Sequence, residues 1–479
     1  MRIAVINPPR VDGLPVVREE RYEHKDIGSV YPPIGLLSVA AILEKEGFEV
    51  FFKDASGFNI SEDILEKELF NFKPDIVFTR CGFDTQEEDV RILKFAKEKL
   101  NAITIIRNKI IAETPWLLKE FMNKYSFIDI FLISEPESSI HLLAKYISKN
   151  NLKDLDKAPG ACFLKDKELV TGPQPKILED LDENPFPAWH LLPSLLPYHT
   201  GVLDAPMALI NTTKGCPFTC TFCAYRKTGY RTRSPENVIE EIKFLKKIHN
   251  IKSFLFFDDL IGLQKGRFEK ICELLIKENL NLKWSCCSRA NLLNLELLKL
   301  MKKAGCVEIA IGIESGDPNI LNLTTKRITL EEIREAARLC RKAGILFYGM
   351  AIIGLPGETK QSIKNTIKFI KSIKPFYTQF CFATPFPNTE IYKYFEEHGY
   401  LLTKDWKRYS PLSSEPVIRT EELSQEDLKK MRQYVYRSLL LDPIYLLRQV
   451  RLFDWKWNIQ GFFKIMSRIF HLFFKGYIR

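Results

Sequence analysis

Cys216, Cys220 and Cys223 stand together in Gly215-Cys216-Pro217-Phe218-Thr219-Cys220-Thr221-Phe222-Cys223, a CxxxCxxC stretch directly after the strand-like run Met207–Asn211. Three thiolates at these offsets on one loop can converge on a single metal centre, and the spacings are too short for each cysteine to bury itself separately in a sheet. The alternatives are three core cysteines or a structural zinc. Zinc calls for a fourth ligand to close its shell, and no second CxxC or HxxxH accompanies the loop. An iron–sulfur cluster takes four thiolates when the protein ligates it fully, so three leave one iron open to a substrate or cofactor.

The elements around that loop predict an α/β fold. Strand candidates Met207–Asn211, Phe254–Phe257, Lys283–Cys287, Val307–Ile313, Leu346–Ile353 and Phe380–Ala383 alternate with helical patterns at roughly 236–248, 267–279, 294–304, 330–343, 359–372 and 389–398. Several helices end at a glycine, among them Gly305 and Gly344. Six βα units predict a partial TIM-like barrel over 201–400, with functional residues at the C-terminal strand ends. Ahead of it, 1–150 alternates too: strands Arg2–Asn7, Glu49–Lys53, Asp75–Thr79, Ala102–Ile106 and Ile128–Ile133 imply a doubly wound, Rossmann-like parallel sheet. Between them, 151–200 carries Pro159, Pro173, Pro175, Pro185, Pro187, Pro193 and Pro197, a connector with at most a short hairpin. The final segment, 401–479, reads as a helical tail.

The 479 residues are 46% hydrophobic and 27% charged, which excludes disorder, collagen-like repeats and coiled coil. No apolar run reaches the ~18 residues of a membrane span. Met1 to Pro9 lacks a charged lead and a long apolar stretch, so the expectation is a cytoplasmic chain with reduced thiols. Of the net charge of +10, the tail from Leu401 contributes 15 Lys/Arg against 8 Asp/Glu, too concentrated for a nucleic-acid groove. Within that tail, Lys464, Ser467, Arg468, His471 and Lys475 share one helix face, aromatic and aliphatic residues fill the rest, and Trp455 and Trp457 lie just upstream. The pattern suits a helix in a membrane interface, on the inner membrane face, or a terminal helix docked across the barrel.

The cysteine loop, with Phe257-Asp258-Asp259, Trp284-Ser285-Cys286-Cys287-Ser288-Arg289, Gly312-Ile313-Glu314-Ser315-Gly316, Gly354-Leu355-Pro356-Gly357-Glu358-Thr359 and Thr384-Pro385-Phe386-Pro387-Asn388-Thr389 at successive strand ends, resembles the radical S-adenosylmethionine (SAM) superfamily. Arg231-Thr232-Arg233-Ser234-Pro235-Glu236 adds a resemblance to the branch whose N-terminal domain is of the cobalamin-binding type. The resemblance spans residues 1 to about 400. It implies that Cys216, Cys220 and Cys223 bind a [4Fe–4S] cluster whose open iron chelates SAM, cleaved on one-electron reduction to a 5′-deoxyadenosyl radical. It further implies Phe222 near the adenine, Ser288 and Arg289 near the carboxylate or ribose, Glu314 near the amine or ribose, and Gly354 to Gly357 beside the adenine. Asp258 either touches ligand or caps the next turn. Cys286, Cys287, Cys306, Cys340 and Cys381 are expected in the core.

The first domain departs from the family pattern. No D-x-H-x-x-G follows the first strand, His24 has the wrong spacing and reads as a solvated loop residue, and Ile105-Ile106-Arg107-Asn108-Lys109 replaces a glycine pair. Ser134-Glu135-Pro136-Glu137 keeps the acids of a Gly-Glu-x-Glu pattern and loses its first glycine. Cobalamin is therefore left open. With it, the expected reaction is methylation of a carbon centre in a small or lipid-like substrate; without it, cyclisation, carbon–carbon bond formation or rearrangement. An electron donor is needed in both cases and no nucleic acid is expected. Resemblance to an RNA-modifying branch such as the methylthiolating enzymes would call for three N-terminal cluster cysteines, which Cys81 and Cys162 alone cannot supply, and a C-terminal RNA-binding barrel; a non-catalytic membrane-bound adaptor would not need the cysteine triad.

Overall fold

The computed structural model describes residues 1–20, 22–25, 28–150, 152–443 and 445. The interfacial-helix pattern of the tail, with Trp455 and Trp457, lies outside the described residues. The chain divides into two compact units, Met1–Thr212 with Arg231–Phe254, and Thr213–Tyr230 with Leu255 onward.

The first unit is built on β1 (Arg2–Asn7), a hairpin of β2 (Val16–Glu19) and β3 (Tyr22–Lys25), then β4 (Glu49–Asp54), β5 (Ile76–Arg80), β6 (Ile103–Arg107) and β7 (Ile130–Leu132). Ile3 to Ile6 and Ile76 to Phe78 are almost fully buried, as strands covered on both faces by helices must be. The covering helices include Ile34–Lys45, Glu62–Phe72, Arg91–Leu100 and Pro136–Asn150. The order β4-β1-β5-β6-β7 continues into the connector hairpin β8 (Ala161–Lys165) and β9 (Glu168–Thr171). Pairing is parallel from β4 to β7 and antiparallel from β7 to β9. This is a doubly wound sheet whose order reverses between β1 and β5, the place where such sheets open a crevice at their C-terminal strand ends.

The β2–β3 hairpin corrects the sequence reading. His24 lies in β3 opposite Val17 rather than in a solvated loop. The run Val16 to Lys25 carries Arg18, Glu19, Glu20 and Glu23 where a half-buried strand usually alternates apolar residues, so its period is masked: all four residues of β2, Val16 to Glu19, are buried, charged and apolar alike.

The second sheet has the order β10 (Met207–Ile210), β13 (Ser253–Phe256), β14 (Lys283–Ser288), β15 (Cys306–Glu314), β16 (Leu346–Ile353), β17 (Tyr377–Phe382). Short strands β11 (Thr213–Lys214) and β12 (Arg231–Thr232) flank the cysteine loop in sequence. β14 to β17 pair in parallel. Each of the six strands leads to a helix: Pro235–His249, Arg267–Glu278, Leu295–Lys303, Leu330–Ala343, Lys360–Ile373 and Glu390–Glu397. The result is a partial (βα)6 barrel. Local chemistry sets the helix ends: Thr329 Oγ1 accepts from Glu332 N while Glu332 accepts from Thr329 N, and Gly344 closes the same helix in a left-handed turn. A further helix, Gln425–Leu440, packs against Lys360–Ile373.

Along β16 and β17 every second residue is buried. The buried set includes Phe347, Ala351 and Phe380, and the half-buried set is Leu346, Tyr348, Met350, Ile352, Tyr377, Gln379 and Cys381. Of the five cysteines expected in the core, Cys286, Cys306 and Cys340 are buried, whereas Cys287 and Cys381 are half-buried.

Candidate active site

The cysteine loop is shaped by backbone bonds before any ligand is considered. Lys227 N donates to Phe218 O and Thr228 N to Cys216 O, both at 3.0 Å, folding the loop back on itself. Gly215 opens it at φ 89°, and a Cβ there would stand 1.9 Å from Gly229 O, so only glycine fits. Asp258 and Asp259, at the end of β13, hold the entry to the loop: Thr213 N donates to Asp258 Oδ1 at 2.6 Å and Gly215 N to Asp259 Oδ2 at 3.1 Å. Asp258 thus ties the strand before the cysteines. From the far side, Thr221 N donates to Thr324 O and Thr325 Oγ1 to Thr219 O, while Ile391 N donates to Thr221 O.

All three cysteines are free thiols, Cys220 buried and Cys216 and Cys223 half-buried, and Tyr225 N donates to Cys223 Sγ at 3.4 Å. Burial pushes the Cys220 thiol pKa up, against the pull of Lys326 and Arg289. Among the described residues no three His, Cys, Asp or Glu side chains are gathered for a single metal ion. Phe222 is half-buried beside Cys223.

Arg289, at the end of β14, lies over the Phe218 ring with its guanidinium carbon 3.7 Å from the centroid. Its Nη1 is 4.0 Å from Cys220 Sγ, and Nη2 donates to Lys326 O. Its Nε is buried with no hydrogen-bond partner. Ser288 Oγ donates to Ile261 O at 3.3 Å.

β15 ends in a bulge, where the register with β16 shifts between Gly312 and Glu314. The bulge re-aims Glu314, which takes φ 59°, a left-handed conformation uncommon outside glycine. Lys326 compensates, its Nζ 2.5 Å from Glu314 Oε1 and 2.6 Å from Gly312 O. The sequence offered no sign of Lys326, a single lysine in Thr324-Thr325-Lys326-Arg327. Beyond β16, Gly354 at φ 92° donates its N–H to Glu358, and a Cβ there would meet Ile418 Cδ1 at 2.8 Å. Glu358 is buried, and that burial lifts its carboxyl to about 8. Gly357 follows at φ 74°. Cysteines, Arg289 and Glu314–Lys326 are thus joined by direct contacts, while Asp258, Ser288 and the Gly354–Gly357 turn occupy neighbouring strand ends of the same sheet.

The Radical SAM superfamily profile matches residues 210–370. An uncharacterized methyltransferase of Pyrococcus horikoshii is 30% identical over 454 residues, 94% of this chain and 95% of that protein. The chain belongs to the radical SAM superfamily. The anaerobic magnesium-protoporphyrin IX monomethyl ester cyclase of Rubrivivax gelatinosus is 26% identical over 429 residues, 88% of this chain and 76% of that one. Among solved structures, TsrM of Kitasatospora setae, a radical SAM methyltransferase with cobalamin and a [4Fe–4S] cluster bound, superposes with a TM-score of 0.66 at 18% identity, covering 95% of this chain and 89% of that one. That likeness is one of fold. This radical SAM enzyme therefore pairs a cobalamin-binding-type domain with a partial barrel, and its cofactors are a [4Fe–4S] cluster and SAM.

The residues present fit that pair. The donor set is three free thiols, one of them accepting a backbone N–H, and the unpartnered Arg289 Nε beside them suits an anionic group such as the SAM carboxylate. The crevice of the first sheet does not fit a corrin in the same way. Its strand ends present Arg80, Arg107 and Asn108, all buried, where close approach of a cofactor tail favours glycine.

Proposed function

We propose that Cys216, Cys220 and Cys223 hold the [4Fe–4S] cluster and that Arg289, Glu314 and the Gly354–Gly357 turn seat SAM, for modification of a carbon centre in a small or lipid-like substrate. The observation that carries this reading is the contact chain from the cysteine loop through Arg289 to Lys326 and Glu314, which sets a cation and a carboxylate beside the thiols. When bound, cluster and SAM together supply a 5′-deoxyadenosyl radical able to take a hydrogen atom from an unactivated carbon. The chain's own part is positioning. Arg289 provides a fixed fork for a carboxylate; Glu314, aimed by the bulge, accepts from an ammonium or hydroxyls; Gly354 and Gly357 let a flat base approach the backbone, with Phe222 near it. Asp258 acts on the loop through Thr213, and Ser288 ties the end of β14 to Ile261.

Two outcomes follow from the same radical. Methylation is supported by the methyltransferase relative, and ring closure by the cyclase relative. Incubating the reconstituted enzyme with SAM and dithionite tests the shared step: 5′-deoxyadenosine is expected, and its absence from a cluster-loaded sample would overturn the reading.

No helix among the described residues is long and apolar enough to cross a membrane. Peripheral contact through the basic aromatic tail is proposed from its sequence pattern alone. Liposome co-sedimentation of the full chain against a version ending at Asp442 tests it, and equal binding would dismiss it.

A further inference from the structure

In the order β4-β1-β5-β6-β7, the cofactor crevice opens at the C-terminal ends of β1 and β5, where the chain reverses direction across the sheet. Here a piece of the protein lies in that place. From the β2–β3 hairpin, Arg18 reaches Asn7 Oδ1 at the end of β1 at 3.1 Å, Pro9 O at 2.9 Å and Asp89 Oδ1 at 2.6 Å. Glu19 accepts from Arg80 Nη1, at the end of β5, at 2.8 Å and from Gly35 N at 2.9 Å. Glu20 bridges Arg80 at 3.2 Å and Arg107, at the end of β6, at 3.3 Å. Glu23 accepts from Asn108 Nδ2 at 3.0 Å and Phe83 N at 3.0 Å. Arg18, Glu19, Arg80 and Arg107 are each at most 6% exposed.

We propose that this hairpin is an ionic plug that occupies the switch-point crevice, so that the first unit seats no corrin there and the radical chemistry of the second unit runs without cobalamin. The inference rests on the radical SAM reading and decides between its two outcomes, in favour of ring closure, carbon–carbon bond formation or rearrangement. Three features of the chain support it. Two strand ends carry long cations, Arg80 and Arg107, and each is matched by a hairpin carboxylate. The matching is mutual, so displacing the hairpin would strip Arg80 of its carboxylates at 2.8 and 3.2 Å and Arg107 of the one at 3.3 Å, a state costlier than the intact pairs. And the histidine nearest the first strand, His24, is carried on the plug itself, in β3 opposite Val17.

The test uses the full chain, reconstituted anaerobically with iron and sulfide, incubated with hydroxocobalamin and desalted. The plug predicts less than about a tenth of a cobalt per chain and 5′-deoxyadenosine formation changed less than about twofold by added methylcobalamin, since binding energy would have to exceed the cost of unpairing buried charges. About one cobalt per chain would overturn it. The same sample separates the two claims: one that holds iron, takes up no cobalt and makes no deoxyadenosine overturns the radical reading and leaves the plug standing. A cycle of Glu19→Gln, Arg80→Met and the double variant adds a readout independent of cofactors. The double variant is expected to melt well above the value that additive single effects give, and strict additivity would contradict the plug.

Discussion

The ammonium of Lys326 sits 2.5 Å from Glu314 Oε1 and 2.6 Å from Gly312 O, so one side chain pins both arms of the bulge that ends β15. Both partners are nearly buried, with side chains 7% and 9% exposed. Glu314 at φ 59° pays a conformational cost of order 1–3 kcal/mol, and the ion pair is what holds it there.

Lys326→Met leaves a buried carboxylate without its counter-charge, which should destabilise the chain by about 3–5 kcal/mol at neutral pH. Because Glu314 is freed to turn away, SAM affinity should fall about tenfold or more, a loss of about 1.4 kcal/mol. The cysteine loop is untouched, so cluster absorbance should persist. Equilibrium SAM binding alongside iron analysis checks this; unchanged affinity would mean that Glu314 is aimed by the bulge alone.

How much of this was legible in the sequence differs by element. The strands of the barrel and the helix end at Gly344 were readable because apolar period and glycine agree locally. The cysteine loop was readable because its residue types are rare and their spacing is chemical. Lys326 was not, since nothing within a few residues marks it and its partners lie 12 and 14 positions away. The β2–β3 hairpin was hidden for the opposite reason: Arg18 and Glu19 are buried beside Val16 and Val17, and pattern reading assigns charge to solvent.

Gly215→Ala should damage the cluster site without touching a thiol. The added methyl would meet the backbone oxygen of Gly229 at 1.9 Å, on a residue at φ 89°. Iron after reconstitution should drop at least about twofold relative to wild type, because the loop must open to relieve a contact no side chain can yield. Iron content equal to wild type would show that the loop tolerates the shift.

Arg289→Lys keeps the charge but loses the planar fork and the stacking on Phe218. The expected result is full iron content with SAM affinity weakened about tenfold, since a buried bidentate site is worth more than about 1.4 kcal/mol. Affinity within twofold of wild type would remove Arg289 from the SAM site.

Glu358 predicts a pH signature. Its carboxyl is lifted from 4.5 to about 8 by burial, with Gly354 and Leu355 N–H groups pulling it down and Asp317 pushing it up. The folded state then binds the extra proton between these values, so its stability falls as pH rises from about 4.5 to about 8, by at most about 1.4 kcal/mol per pH unit. Glu358→Gln keeps the acceptor for Gly354 and cannot ionise. It should match wild type near pH 5, exceed it at pH 8 in chemical denaturation, and so flatten the slope; parallel pH curves would contradict the shift.

The central claim, that three cysteines of one loop hold an iron–sulfur cluster that cleaves SAM, is tested most directly by replacing Cys216, Cys220 and Cys223 together with Ala. Wild type, reconstituted anaerobically and reduced with dithionite, is predicted to carry about four irons and to release 5′-deoxyadenosine from SAM, whereas the triple variant should keep neither. Deoxyadenosine formation that survives in the triple variant would contradict the account.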